Sequence, residues 1–148
     1  SRLKDGIDLA FNEKYPQNCS KYRNIAYLCI MKHLKKKLEV ELLKEAEDYF
    51  LELTDKMQGK FLRAFDKTES GLKGSWFEKL NSEERIFEFR ERDQEKFYRI
   101  FAFWDGESDS KTLILCTHGL DKKTNKTPKS DIERAIKIKK QYFKDKNK

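Results

Sequence analysis

Polar and apolar residues alternate strictly over Lys37-Leu38-Glu39-Val40-Glu41-Leu42. That is the period of a half-buried strand with Leu38, Val40 and Leu42 inward, although a helix continuing from the preceding segment competes with it. The period then lengthens. Lys44 to Leu53 sets Ala46, Tyr49, Phe50 and Leu53 along one stripe, and Met57, Phe61, Leu62 and Phe65 form a second. Between them Thr54 is a ready N-cap with Asp55 favourable in the first turn, and Gly71 is a plausible stop. These patterns predict a helical hairpin whose aromatics face a core. Residues 72–85 read as irregular, with a short turn around Trp76 to Leu80. Three strands follow. Ile86 to Arg92 presents Phe87 and Phe89 on one face and Glu88, Arg90 and Arg92 on the other. Phe97 to Trp104 is almost wholly apolar and therefore central, Arg99 being its only charge. Thr112 to Leu120 is the third. Their polar connections, 93–96 and 105–111, are short enough for antiparallel hairpins. The last element is a helix from Pro128 to about Phe143, with Thr127 as N-cap and Pro128 at the first helical position. Ser130-x-x-Glu133 offers an alternative capping box. Its buried stripe is Ile132, Ala135, Ile136, Tyr142 and Phe143, and the tail from Lys144 is expected to fray. The order is β-α-α-β-β-β-α, an α+β fold with a small antiparallel-dominated sheet, the hairpin packed on it and a terminal helix.

Upstream the pattern is weaker. Ser1 to about Asn18 carries charges and a Tyr15-Pro16 break. Cys19 to Leu34 predicts a helix with Ser20 as N-cap and Tyr27, Ile30, Met31 and Leu34 at helical spacing. Met31 is a candidate start, which would place residues 1–30 outside the core domain; residues 1–34 are expected to be an appendage and residues 35–148 the domain. With 37% hydrophobic and 13% aromatic residues, 148 positions suffice for one core despite 40% charged residues. No run approaches the ~18 apolar residues of a membrane span, and nothing resembles a secretory signal. The three cysteines, Cys19, Cys29 and Cys116, are widely spaced and suggest neither a disulfide framework nor a zinc site. A reducing cytoplasm is the natural setting, with Cys116 a small core residue. Charge changes the picture most. Of 33 Lys/Arg and 26 Asp/Glu, twelve bases and only four acids fall between Lys111 and Lys148, so the rest is near neutral. A polyanionic partner is expected, nucleic acid ahead of membrane because the basic segment has no exposed apolar face.

The stretch where that excess begins, Thr117-His118-Gly119-Leu120-Asp121-Lys122-Lys123-Thr124-Asn125-Lys126-Thr127-Pro128, joins a histidine to clustered lysines at a strand-to-helix corner. His118 to Pro128 is similar to the "HGF-x-KKT-x-KTP" signature of the phage-derived branch of the RelE/ParE superfamily. Phe97 to Asp105 resembles the "YRI-aromatic-FFD" strand of RelE/HigB-like toxins of bacterial toxin–antitoxin pairs. Ile86 to Arg92 resembles their "WELR" strand, and Asp131-Ile132-Glu133 with Ala135 continues like their terminal helix. The resemblance spans about Lys36 to Phe143. Leu120 stands where an aromatic is usual, no glycine precedes Ile86, and residues 1–34 have no counterpart.

The resemblance implies the same element order and a ribosome-dependent mRNA endonuclease that inhibits translation, neutralised by a cognate helix-turn-helix antitoxin. Related scaffolds also carry gyrase-inhibiting toxins of the ParE type, and a non-catalytic phage-derived binding module is a further alternative. Cutting RNA without metal or cofactor requires a proton acceptor, cations around the phosphorane and a donor for the leaving oxygen. Arg90, which matches a basic site of the family, Arg99 and His118 are the catalytic candidates. Arg99 in an apolar strand is either functional or paired in a buried salt bridge, with Glu88 for example. His118 has the pKa range for acid–base work, or it is a hydrogen-bonded structural residue. Lys122, Lys123 and Lys126 are expected to hold RNA phosphates, with Arg92 peripheral. Tyr98 remains open as a base-stacking residue, whereas Trp104 and Tyr142 are expected in the core.

Overall fold

The computed structural model describes residues 38–81, 84–106 and 112–147. The helix expected over Cys19 to Leu34, and Met31 within it, lie outside the described residues. The elements are β1 (Leu38–Leu42), α1 (Lys44–Glu52), α2 (Asp55–Glu69), β2 (Phe77–Asn81), β3 (Ile86–Arg92), β4 (Phe97–Asp105), β5 (Thr112–Lys122) and α3 (Lys129–Lys146). The strands form one sheet in the order β1-β5-β4-β3-β2, with β1 parallel to β5 and every other pair antiparallel. The α+β architecture read from the periodicities is the one observed.

Each face of the sheet has its own core. On one side α1 and α2 bring Phe50, Phe61 and Phe65 against Val40, Phe89, Ile100, Ile114 and Cys116. On the other, α3 sets Ala135 over Ile86, Phe101, Phe103 and Leu115. Strand β4 is therefore covered on both faces, which is why it reads as an almost continuous apolar run. The helix signals are realised as expected at Thr54, whose side chain accepts a 3.2 Å hydrogen bond from Met57 N, and at Gly71, which takes φ 85° beyond the end of α2.

Two local expectations are corrected. Trp76 to Leu80 is not a turn: Phe77–Asn81 is a fifth strand paired with β3. Two charges in five residues hide it from any periodicity, and it exists because Phe77 finds Phe87 at 5.1 Å and Phe89 at 4.3 Å between ring centroids. Nor does Thr127 cap the last helix, which starts at Lys129 with Pro128 in the capping position and no side-chain cap. The Thr127 hydroxyl is engaged elsewhere: it accepts from Lys122 Nζ and donates to Glu88 Oε2. At its other end α3 runs on to Lys146, whose ammonium meets buried Asp105 at 2.7 Å, so the expected fraying at Lys144 does not occur.

Strand β5 carries a bulge. Ile100 pairs with Gly119 and Ala102 with Cys116, which leaves Thr117 and His118 opposite the single residue Phe101. Just beyond it, the Tyr49 ring of α1 lies directly on the backbone of Gly119, and its hydroxyl donates to Leu120 O and Asp121 Oδ1. A Cβ at Gly119 would stand 2.0 Å from the ring. Gly119→Ala is thus expected to lower unfolding stability by about 1–3 kcal/mol through overpacking. Urea titration showing an unchanged midpoint would mean the ring can step aside.

Candidate nucleic-acid interface

Directly opposed residues of antiparallel strands share a face, so the register settles which side chains meet. Across β3, β4 and β5, one row is Arg92–Phe97–Lys122 and the next is Arg90–Arg99–Leu120. These rows lie on the face that α3 covers, but toward the end of the strands away from the Phe103–Ala135 core. The cationic end of the sheet is left open there.

Two guanidiniums opposed across a ladder repel, and the structure answers with an acid below them. Glu88, with its side chain 3% exposed, places Oε1 3.5 Å from both Arg90 Nε and Arg99 Nε. The salt bridge weighed for Arg99 is therefore present and is shared with Arg90. Asn125 in the β5–α3 loop binds the pair from above, its Oδ1 accepting from Arg90 Nη2 at 2.9 Å and Arg99 Nη2 at 2.5 Å. Arg99 Nη1 also donates to Tyr98 O and Glu91 O, while its Nε has no hydrogen-bond partner. Burial lowers the Arg99 pKa and Glu88 opposes the shift; an arginine stays charged regardless. Arg90 is more open and turns Nη1 to Glu78 Oε2 at 2.5 Å.

The lysine loop folds onto this pair. Lys122 Nζ donates to Asn125 O at 3.0 Å and to the Thr127 hydroxyl at 2.9 Å, and burial, aided by Arg99, lowers its pKa. Of the three lysines expected on phosphates, Lys122 is therefore tied inside the loop, while Lys123 and Lys126 are exposed. Ser75, β3, β4 and Asn125 of the loop line an open pocket of about 260 Å³ whose wall holds Arg90, Glu91, Arg92, Phe97 and Arg99.

His118 is not on that wall. It is 2% exposed, its ring stacked on Phe101 at 4.7 Å and its Nδ1 3.0 Å from the Thr117 hydroxyl. Nε2 lies 3.3 Å from Asp131 Oδ1 in the first turn of α3. Burial, with Arg134, holds its pKa below the ordinary imidazole value against the opposing pull of Asp131. The unfolded chain thus takes up a proton that the folded one resists. The contribution is whole above the unfolded value of about 6.5 and is lost as pH falls toward the lower folded value. Melting temperature is expected to decline between pH 7.5 and 5.5, and His118→Asn is expected to flatten that slope. Parallel slopes in the two proteins would show that His118 protonates freely in the fold.

The aromatic candidates also divide. Tyr98 faces the other side of the sheet and is 7% exposed. Its hydroxyl donates to Asp93 Oδ2 at 2.6 Å, which with the amides of Lys96 and Glu95 pulls that carboxyl down to about 2. Trp104 and Tyr142 pack with the two cores. Phe97, which the sequence offered only as one more apolar strand residue, is the aromatic at the pocket. Asn125 and Glu78 were equally silent, one in a polar loop and the other in a segment read as a turn. Among the described residues no His/Cys/Asp/Glu group of three or more is arranged to hold a metal, and no helix is long and apolar enough to cross a membrane.

Residues 48–140 match the family described as phage derived protein Gp49-like (DUF891). No curated protein and no solved structure matches the chain.

Proposed function

The chain belongs to the Gp49-like family of phage-derived proteins, a toxin-like family of toxin–antitoxin systems, and from that premise we propose that it is the toxin of such a pair and an endoribonuclease. In this reading it acts in the cytoplasm on mRNA held by the ribosome, stops translation, and is neutralised by a cognate helix-turn-helix antitoxin. The observation that supports it is the convergence of Arg90, Arg99 and Arg92 with the lysine loop around one small open pocket.

The chemistry follows from those groups. The 2′-hydroxyl of a nucleotide attacks the adjacent phosphorus as it gives up its proton to water in the open pocket, the bond to the 5′-oxygen breaks, and that oxygen takes a proton from water, so that a cyclic phosphate and a free 5′-hydroxyl result. Negative charge grows on the phosphorane oxygens as this happens, and planar guanidiniums offer paired donors to it. Arg90 is the catalytic candidate that reaches solvent. Arg99, locked from below by Glu88, supplies a fixed second charge. Lys123 and Lys126 contribute salt-sensitive affinity for flanking phosphates. His118 serves here as a positioning residue, holding the first turn of α3 through Asp131 and so the end of the lysine loop. In-line alignment of the attacking hydroxyl is left to the ribosome.

One observation favours a second reading, a non-catalytic RNA-binding module: His118 is buried away from the pocket and Arg90 is already engaged by Glu78. Induction in cells followed by transcript 5′-end mapping decides between them. New ends within translated frames support the endonuclease. A growth defect with a DNA-damage response and no new ends points instead to gyrase, and the absence of both leaves the binding module.

A further inference from the structure

Phe97 is out of place as a core residue. Its cross-strand neighbours are Arg92 and Lys122, it belongs to neither apolar core, and among the described residues no other aromatic ring pairs with it. Its ring is half-buried in the wall of the cationic pocket, with the Arg99 guanidinium 5.4 Å from the ring centroid. Arg99 is itself 2% exposed and lines the same pocket as the ring. At about 260 Å³ the pocket is below the ~300 Å³ at which ligand cavities usually begin, room for a single base rather than a stacked pair.

We propose that Phe97 is a base-stacking platform, and that the pocket takes one unstacked nucleotide of a single-stranded RNA, its base on Phe97 and its phosphate on Arg90 and Arg92. The inference rests on the RNA reading above and narrows it. Every base has a π-face, so the platform selects single strands over duplexes without choosing among bases, while the neighbouring cations hold the backbone. The Arg99 guanidinium beside the ring adds a fixed positive charge to the site.

The test uses a short single-stranded RNA, the same strand made abasic at each position in turn, and its duplex, with binding followed by fluorescence anisotropy at low salt. Phe97→Leu keeps apolar volume and removes the π-face. It is expected to weaken single-strand binding roughly five- to hundredfold and to leave duplex binding unchanged. One abasic position is expected to cost wild-type protein the same factor and to cost Phe97→Leu nothing. Phe97→Trp is expected to restore affinity, and its added emission is expected to be quenched by the intact strand but not by that abasic one. This variant keeps the question answerable should Phe97→Leu not fold. Equal binding of the intact and abasic strands by wild type, with no Trp quenching, overturns the stacking role while leaving RNA binding in place. If wild type binds no free strand at any salt concentration, the stacking platform is overturned, whereas the RNA reading itself falls only if induction yields no new transcript 5′ ends.

Discussion

Arg90→Ala is expected to lower RNA cleavage by about 10²–10³-fold, the cost of removing one fixed donor from a developing oxyanion, about 2.7–4 kcal/mol. Its surface partner Glu78 is 47% exposed, and buried Glu88, which it shares, keeps Arg99 when Arg90 is gone, so the fold loses little, about 1 kcal/mol. Arg90→Lys is expected to fall between wild type and alanine, because a single ammonium lacks the paired donors of the guanidinium. The measurement is cleavage of a message on purified ribosomes, alongside growth after induction. Full activity in Arg90→Ala, with an unchanged melting temperature, would remove Arg90 from the site.

Arg99 behaves differently, because the structure buries it. Arg99→Ala is expected to destabilise the protein by about 3–5 kcal/mol, since it leaves the Glu88 carboxylate, 3% exposed, short of a partner. Glu88→Gln is expected to cost a comparable amount by leaving two opposed guanidiniums without their shared counter-charge. The paired change Glu88→Leu with Arg99→Met removes both charges and is expected to recover most of the loss, since buried ion pairs seldom outperform apolar neighbours. It should not recover cleavage. Urea unfolding of the single and double variants measures this, and a cost below about 1 kcal/mol for Arg99→Ala would show that the pair does not brace the site. Loss of growth arrest in Arg99→Ala alone therefore mixes unfolding with catalysis, and Arg90 is the cleaner probe.

The arginines were legible because strand alternation assigns faces. Glu88, Arg90 and Arg92 recur every second residue against Phe87 and Phe89, and a charge at position 99 stands out in an apolar run. The same alternation put Glu88 within reach of Arg99, and the register made that partner real. The histidine stands between a catalytic and a structural role on sequence alone. Near-neutral titration and a position beside the lysines suggested chemistry, but the bulge at Thr117-His118 turns the ring onto Phe101 and beneath α3. Lys122 looked like a surface cation and instead bonds back to Asn125 and Thr127. Phe97 went unremarked because one more aromatic in an apolar strand carries no signal until its neighbours are known.

The features legible in the chain alone are local and periodic: the first strand, the helical hairpin, three of the strands after it, the terminal helix, the α+β class and the concentration of positive charge in the last quarter of the chain. Each depends on side chains a few residues apart, and a period of two or of 3.6 is written in the chain directly. The tertiary structure decided what depends on residues far apart: that Phe77–Asn81 is a strand, that Arg90 faces Arg99 over Glu88, that Asn125 closes over both, and that His118 is buried while Phe97 is not. Those outcomes come from strand register, one bulge and the placing of α3. A shift of one residue in any of them would send the same side chains to the opposite face.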